Sequence, residues 1–183
     1  MPRKNGPWTI KRTATKYQNP WIEVREDQVV APDGRPSLFG IVKMKAGISV
    51  LPVDDRGYVY LTKEFHYAIG RKSVEVVSGA IEKNERPLDA AKRELEEELG
   101  IRARKWNALG VVNPFTTAIQ SPAYIFLART LTFGPNHPEA IERIEPIKMR
   151  LKQAVQMVME SKITHGPSCV LILKAKEFLS KRL

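Results

Sequence analysis

Between Gly79 and Ile101 the chain reads GAIEKNERPLDAAKRELEEELGI, a segment that dictates one helix with two working edges. Pro87 suits the first helical position, where its missing N–H would be unpaired anyway, and Gly100 stops the helix just past its last turn. The helix is therefore expected from Pro87 to Leu99. At about 100° per residue, Leu88, Ala91, Leu95 and Leu99 form an apolar stripe that must be covered by another layer. Glu94, Glu97 and Glu98 fall beside that stripe, within an arc of about 100°, because positions three and four apart are neighbours. Like charges so spaced destabilise a helix, a cost that a bound divalent cation removes. Oxygen-only ligands suit Mg2+ or Mn2+. Arg93 can hold a carboxylate in a bidentate pair and so aim it, with Glu85 as a partner. Glu96 falls with Lys92 and Asp89 on the solvated side. A run of three glutamates is by itself usually a solvated face; the joint spacing of the glycines, glutamates and arginine is what lifts this segment above that reading.

The order is Gly79, five residues, Glu85, seven residues, then Arg93-Glu94-Leu95-Glu96-Glu97-Glu98-Leu99-Gly100-Ile101. It resembles the Nudix box, the signature of the Nudix hydrolases, and meets every fixed position of that pattern. The resemblance implies that Glu94, Glu97 and Glu98, with the Ser78 carbonyl, hold the metal. It also implies that Glu97 is a candidate catalytic base, as box glutamates are in some members. Gly79 opens the loop into the helix, where the lack of a Cβ permits close backbone approach.

Elsewhere, WIEVREDQVV, FGIVKMK, AGISVLPV, YVYLTKEFHY, SVEVV, LGVVNPF and AYIFLART read as strands, and Asp54–Gly57 as a hairpin turn. Helices are expected at about Lys148 to Ser161 and Ser168 to Leu179. Strands flanking helices give an α/β class. The resemblance specifies a Nudix fold, a mixed β-sheet sandwich with flanking helices, preceded by an N-terminal strand region. Residues 1–40 are expected to form that region, and 41–183 the hydrolase domain.

NPWIEVREDQV, the PDG turn, VLPVDDRG and SVEVVSG are together similar to the ADP-ribose pyrophosphatase branch, which cleaves nucleoside diphosphate sugars. The resemblance implies a homodimer in which N-terminal strands complete the partner's site. Trp21 is then a base-stacking candidate, Arg25 a phosphate or ribose contact, and Glu75, the glutamate that matches the branch, a further substrate-binding candidate. For Trp21, core packing weighs equally. This chain departs from the branch at Glu64-Phe65-His66, where a Gln-aromatic-Arg triplet is common, which leaves the phosphate contact either to Arg71 or lost. It departs again in NPFTTAIQSPA, which lacks the acidic residue that serves some relatives as a base. Glu139, Glu142 and Glu145 are the remaining base candidates, with Glu142 preferred and a solvated acidic loop weighing as much. His66, His137 and His165 have no metal-like spacing.

The 183 residues suit a single globular domain. The lone Cys169 cannot form an internal disulfide, which points to a reducing compartment. No run is apolar enough to span a membrane and the start of the chain lacks a signal core, so a cytoplasmic location is expected. The net charge of +10 favours anionic partners. Basic residues without aromatic interleaving do not favour nucleic acid. The expected activity is Mg-dependent hydrolysis of a nucleoside diphosphate linked to another moiety, ADP-ribose first. The alternatives are an RNA cap or RNA 5'-pyrophosphohydrolase, or a non-catalytic nucleotide-binding Nudix protein.

Overall fold

The computed structural model describes residues 3–136 and 143–181. The first strands are β1 (Arg3–Asn5), β2 (Trp8–Gln18), β3 (Ile22–Val30), β4 (Pro36–Met44), β5 (Gly47–Val53) and β6 (Tyr58–His66). A 3-10 turn, Tyr67–Ile69, leads to β7 (Arg71–Glu75) and β8 (Val77–Ala80), then to helix α1 (Pro87–Leu99). After it come β9 (Ile101–Val112), β10 (Ile119–Gln120), β11 (Ala123–Phe133) and β12 (Glu145–Arg150), and the helices α2 (Leu151–Met159) and α3 (Gly166–Ser180).

Two compact units result. One comprises residues 1–46 and 113–122, the other 47–112 and 123–183. Residue 40 lies inside β4, and the first unit runs on to Ala46. That unit is a sheet of order β1-β2-β3-β4-β10, antiparallel except where β10 joins β4.

The second unit is a mixed sheet of order β12-β6-β5-β11-β9 with helices on both faces. Strands β5 and β11 run parallel; their neighbours are antiparallel. Alternation along the strands sends Ile48, Val50, Val77, Phe126 and Ala128 to one face, where Ala90, Ala91 and Leu95 of α1 meet them. Leu51, Val59, Leu61, Val76, Ile125 and Leu127 go to the other, against Ala154 of α2 and Leu171, Ile172 and Ala175 of α3. Burial of each Val, Leu, Ile or Phe side chain among them contributes roughly 1.5–3 kcal/mol, and of each Ala less.

Several elements differ from the sequence reading, the short β1 and β10 among them. Residues 145–150 form β12 and not the start of a helix: Ile147 and Met149 point inward while Lys148 and Arg150 stay exposed, a period of two that precedes the helical period of α2. SVEVV is not one strand, because β7 pairs with β6 and β8 with β5. β9 begins at Ile101, directly after the helix-ending Gly100, and not at Leu109. β2 carries one buried residue, Ile10, so it shows no clean alternation in the sequence.

Candidate active site

The acidic helix is set against the strand that precedes it. Pro87 is its first residue and Gly100 caps it at φ 63°, with its N–H on the Glu96 carbonyl. A Cβ at Gly100 would lie 2.3 Å from the Gly134 carbonyl oxygen, so both conformation and space require glycine there.

Gly79 is required for a different reason. A Cβ there would stand 2.1 Å from Glu94 Cδ, because the Glu94 carboxylate lies directly over the glycine. Beside it, Arg93 joins the acidic residues into one network. Its Nε and Nη2 donate to Glu85 Oε1 and Oε2 at 3.0 and 3.1 Å, a bidentate pair. Its Nη1 donates to Glu94 Oε1 at 2.8 Å and Glu97 Oε2 at 3.0 Å, and Nη2 also reaches the Ala80 carbonyl at 3.1 Å. These carboxylates hold the guanidinium well above the ordinary arginine pKa, Glu85 foremost. Glu85 in turn is held below the usual carboxylate range, chiefly by Arg93 and then by the Glu82 N–H.

Glu98 is the buried member, 6% exposed, while Glu97 is partly open to solvent. Glu96 turns away to pair with Arg102. Ser78 lies one residue before Gly79, its hydroxyl donating to the Val76 carbonyl at 3.1 Å and lying 3.0 Å from Ser49 Oγ. Among the described residues no group of three or more His, Cys, Asp or Glu side chains stands placed to hold a metal ion. Mg2+ does not need one: it keeps several waters and takes one or two carboxylates plus substrate phosphates. Glu94 and Glu97, both held by Arg93, and the neighbouring Glu98 offer oxygen donors of the kind such an ion takes, and Gly79 leaves room for Glu94.

Other residues named from the sequence stand elsewhere. Glu75 is enclosed, with Oε1 3.1 Å from His66 Nε2 and Oε2 3.0 Å from His165 Nδ1. Arg71 is exposed, with Nη2 3.4 Å from Thr164 Oγ1. In the N-terminal unit Trp21 is 70% exposed and so is not a core residue. Arg25 lies mostly buried with its Nε 3.8 Å from Asp27 Oδ2 and no hydrogen-bond partner among the described residues. Glu145 is on the far face of the sheet from α1, beside Lys63 and Lys72 at 3.6 Å. Glu139, Glu142 and His137 lie outside the described residues. The sequence reading did not single out Ser49 and Ser168, and it set His165 aside; His66 and His165 come together only through the fold, so no spacing announces them. A cavity of about 230 Å³ in the N-terminal unit is lined by Trp8, Asp27, Phe39 and Gln120 and by none of the box residues, so concavity alone does not mark the chemistry.

Residues 43–163 match the NUDIX domain, and 8–42 the nucleoside diphosphate sugar hydrolase N-terminal domain. The chain belongs to the Nudix family. Within it, the chain is similar to an ADP-ribose pyrophosphatase of Bacillus subtilis (strain 168), at 30% identity over 162 residues, 86% of this chain and 88% of the relative. A methanol dehydrogenase activator of Bacillus methanolicus is 24% identical over 90% of this chain and 89% of its own. The fold matches a crystal structure titled as an ADP compounds hydrolase with a TM-score of 0.85, at 16% identity and 98% coverage of both chains. The protein is thus a Nudix pyrophosphohydrolase of the ADP-ribose pyrophosphatase-like branch, acting on a nucleoside diphosphate linked to another moiety. Among the described residues, no helix of this Nudix enzyme is long and apolar enough to cross a membrane.

Proposed function

We propose that the enzyme hydrolyses ADP-ribose, or a closely related nucleotide sugar, to a nucleoside monophosphate and a sugar phosphate with Mg2+, or Mn2+ in its place. The observation that carries this reading is the Arg93 network, which gathers Glu85, Glu94 and Glu97 on one guanidinium while Gly79 leaves room for Glu94. The similarity to the Bacillus subtilis ADP-ribose pyrophosphatase supports the choice of substrate.

In this reading Glu94, Glu97, Glu98 and the Ser78 carbonyl hold the metal. A divalent cation bound there would supply positive charge for the diphosphate oxygens and would lower the pKa of a water. Arg93 keeps Glu94 and Glu97 aimed and shields their mutual repulsion, so the carboxylates need not reorganise when substrate arrives. Glu97, with one oxygen on Arg93 and its side chain partly exposed, takes the proton from the attacking water; Glu142 is the second candidate. Arg71, exposed at the start of β7, meets substrate phosphate, and Glu75 acts through the histidines around it. Arg25 and the exposed Trp21 contact ribose and base, and residues 1–40 supply these contacts across a homodimer in the cytoplasm. Tyr17, Trp21, Leu38 and Met44 of the N-terminal unit are large apolar side chains left exposed, which a second copy would cover.

The test is release of nucleoside monophosphate from ADP-ribose, other nucleotide sugars, dinucleoside polyphosphates and capped RNA, each with Mg2+ and Mn2+. Highest kcat/KM on ADP-ribose is expected. Preference for capped RNA would replace this substrate with the RNA reading.

A further inference from the structure

The strand that delivers Ser78 and Gly79 changes partner at a single residue. β7 pairs with β6 as far as Glu75, and β8 pairs with β5 from Val77, which leaves Val76 as the joint. A joint in a sheet loses ladder hydrogen bonds, and its backbone groups must be satisfied in another way. Here the start of α3 supplies much of that. Val76 N–H donates to Ser168 Oγ at 3.1 Å, and Thr62 Oγ1 donates to the Glu75 carbonyl at 3.4 Å. The Glu75 carboxylate is held between His66 Nε2 at 3.1 Å and His165 Nδ1 at 3.0 Å, and His165 Nδ1 is also 2.8 Å from Ser168 Oγ. An unprotonated Nδ1 would set its lone pair against Glu75 Oε2, so the network places the proton on Nδ1.

His165 is the N-cap of α3 and Ser168 lies in its first turn, fully buried. Helix α3 packs on the sheet face opposite α1, so it does not touch the acidic residues through that face. Its contact with them runs along the backbone: Ser168 and Glu75 hold residues 75–76, Ser78 Oγ holds the Val76 carbonyl, and Gly79 sits under Glu94.

We propose that Glu75, His66, His165 and Ser168 are positioning residues for the metal site, fixing the joint so that the Ser78 carbonyl and Glu94 stand where the ion requires them. This rests on the assignment of Ser78 and Glu94 as metal ligands. Mg2+ demands near-ideal octahedral geometry, so small displacements of a backbone ligand matter. Groups that hydrogen-bond a metal ligand typically change metal affinity 10–100-fold when they are lost, and this network acts two residues further along the backbone, where the effect is smaller.

The experiment is titration of the full-length protein with Mn2+, followed by calorimetry, beside thermal melting, for the wild type and the variants His165→Ala, His165→Asn, Ser168→Ala and Glu75→Gln. The Asn side-chain amide can donate from the place of Nδ1, so His165→Asn is the conservative rescue. The Mn2+ dissociation constant is expected to rise several-fold, up to about 10-fold, in His165→Ala, Ser168→Ala and Glu75→Gln, and to stay near wild type in His165→Asn. Folded variants that melt earlier but bind Mn2+ like the wild type would overturn the proposal and leave the network a purely structural one. If His165→Ala does not fold, Glu75→Gln, which keeps side-chain volume, decides the question by the same criterion. A wild type that binds no Mn2+ would overturn the metal-ligand assignment itself, and the positioning proposal with it.

Discussion

Single residues in the acidic segment divide between those that pack and those that bind. Gly79 separates the two roles most cleanly. The atoms an added Cβ would meet are the far end of the Glu94 side chain, which can swing away, so Gly79→Ala is expected to leave melting nearly unchanged. The swing takes Glu94 off its place, and kcat/KM should fall about 10–100-fold. Steady-state kinetics beside calorimetric melting checks this; a large loss of stability with full specific activity would reverse the assignment. Leu95, fully buried against Ile48 and Val50, is the converse case. Leu95→Ala should cost about 2–5 kcal/mol of stability, read by denaturant unfolding, while metal affinity of the folded fraction is kept. Glu85, Arg93, Glu94 and Glu97 were legible in the sequence because helical spacing alone brings the last three together, and Glu85 lies one loop upstream. The enclosure of Glu75 was not legible, since His66 and His165 are distant in sequence and meet only when α3 docks.

At the scale of elements, strong periodicity was readable and interruptions were not. α1 announces both ends with Pro87 and Gly100, and β5, β6 and β11 carry dense apolar runs. The SVEVV segment misled because apolar alternation says nothing about which neighbour a strand pairs with, and the change of partner at Val76 is set by β5, β6 and α3. β12 was hidden because Ile147 and Met149 merge into the apolar pattern of α2. The α3 docking carries a pH signature. Burial foremost pushes the His165 pKa below its ordinary value of 6.5; Glu75 opposes this and His66 adds to it. The folded state thus favours neutral His165, and the unfolded chain binds the proton more readily. The contribution to stability is present above about pH 6.5 and is lost as pH falls through that value toward the lower folded-state pKa. Unfolding midpoints from pH 8 to pH 5 should show this decline, and His165→Asn should flatten it.

At the scale of the whole molecule, the chain carries a net charge of +10 while its box helix is acidic. The positive field should draw an anionic diphosphate toward the enzyme, and screening weakens such attraction with a Debye length of about 8 Å at physiological salt. kcat/KM is therefore expected to fall as ionic strength rises, with most of the change in KM; a rate independent of salt would assign the charge another use. Substrate identity is the least legible property of the chain, because the contacts proposed for it, Trp21, Arg25 and Arg71, are named by resemblance alone and no spacing encodes the outline of a ligand. The hydrolytic chemistry is more legible, being concentrated in one helix. Its most direct test is Glu98→Gln, a change that preserves side-chain volume at a buried position and removes one carboxylate. Initial rates of AMP release from ADP-ribose at saturating Mg2+ should drop by at least about 100-fold relative to wild type, as expected for a ligand carrying several kcal/mol of transition-state stabilisation, with circular dichroism unchanged. Near-normal turnover in a folded Glu98→Gln protein would contradict the assignment of the box carboxylates as the metal-dependent catalytic centre.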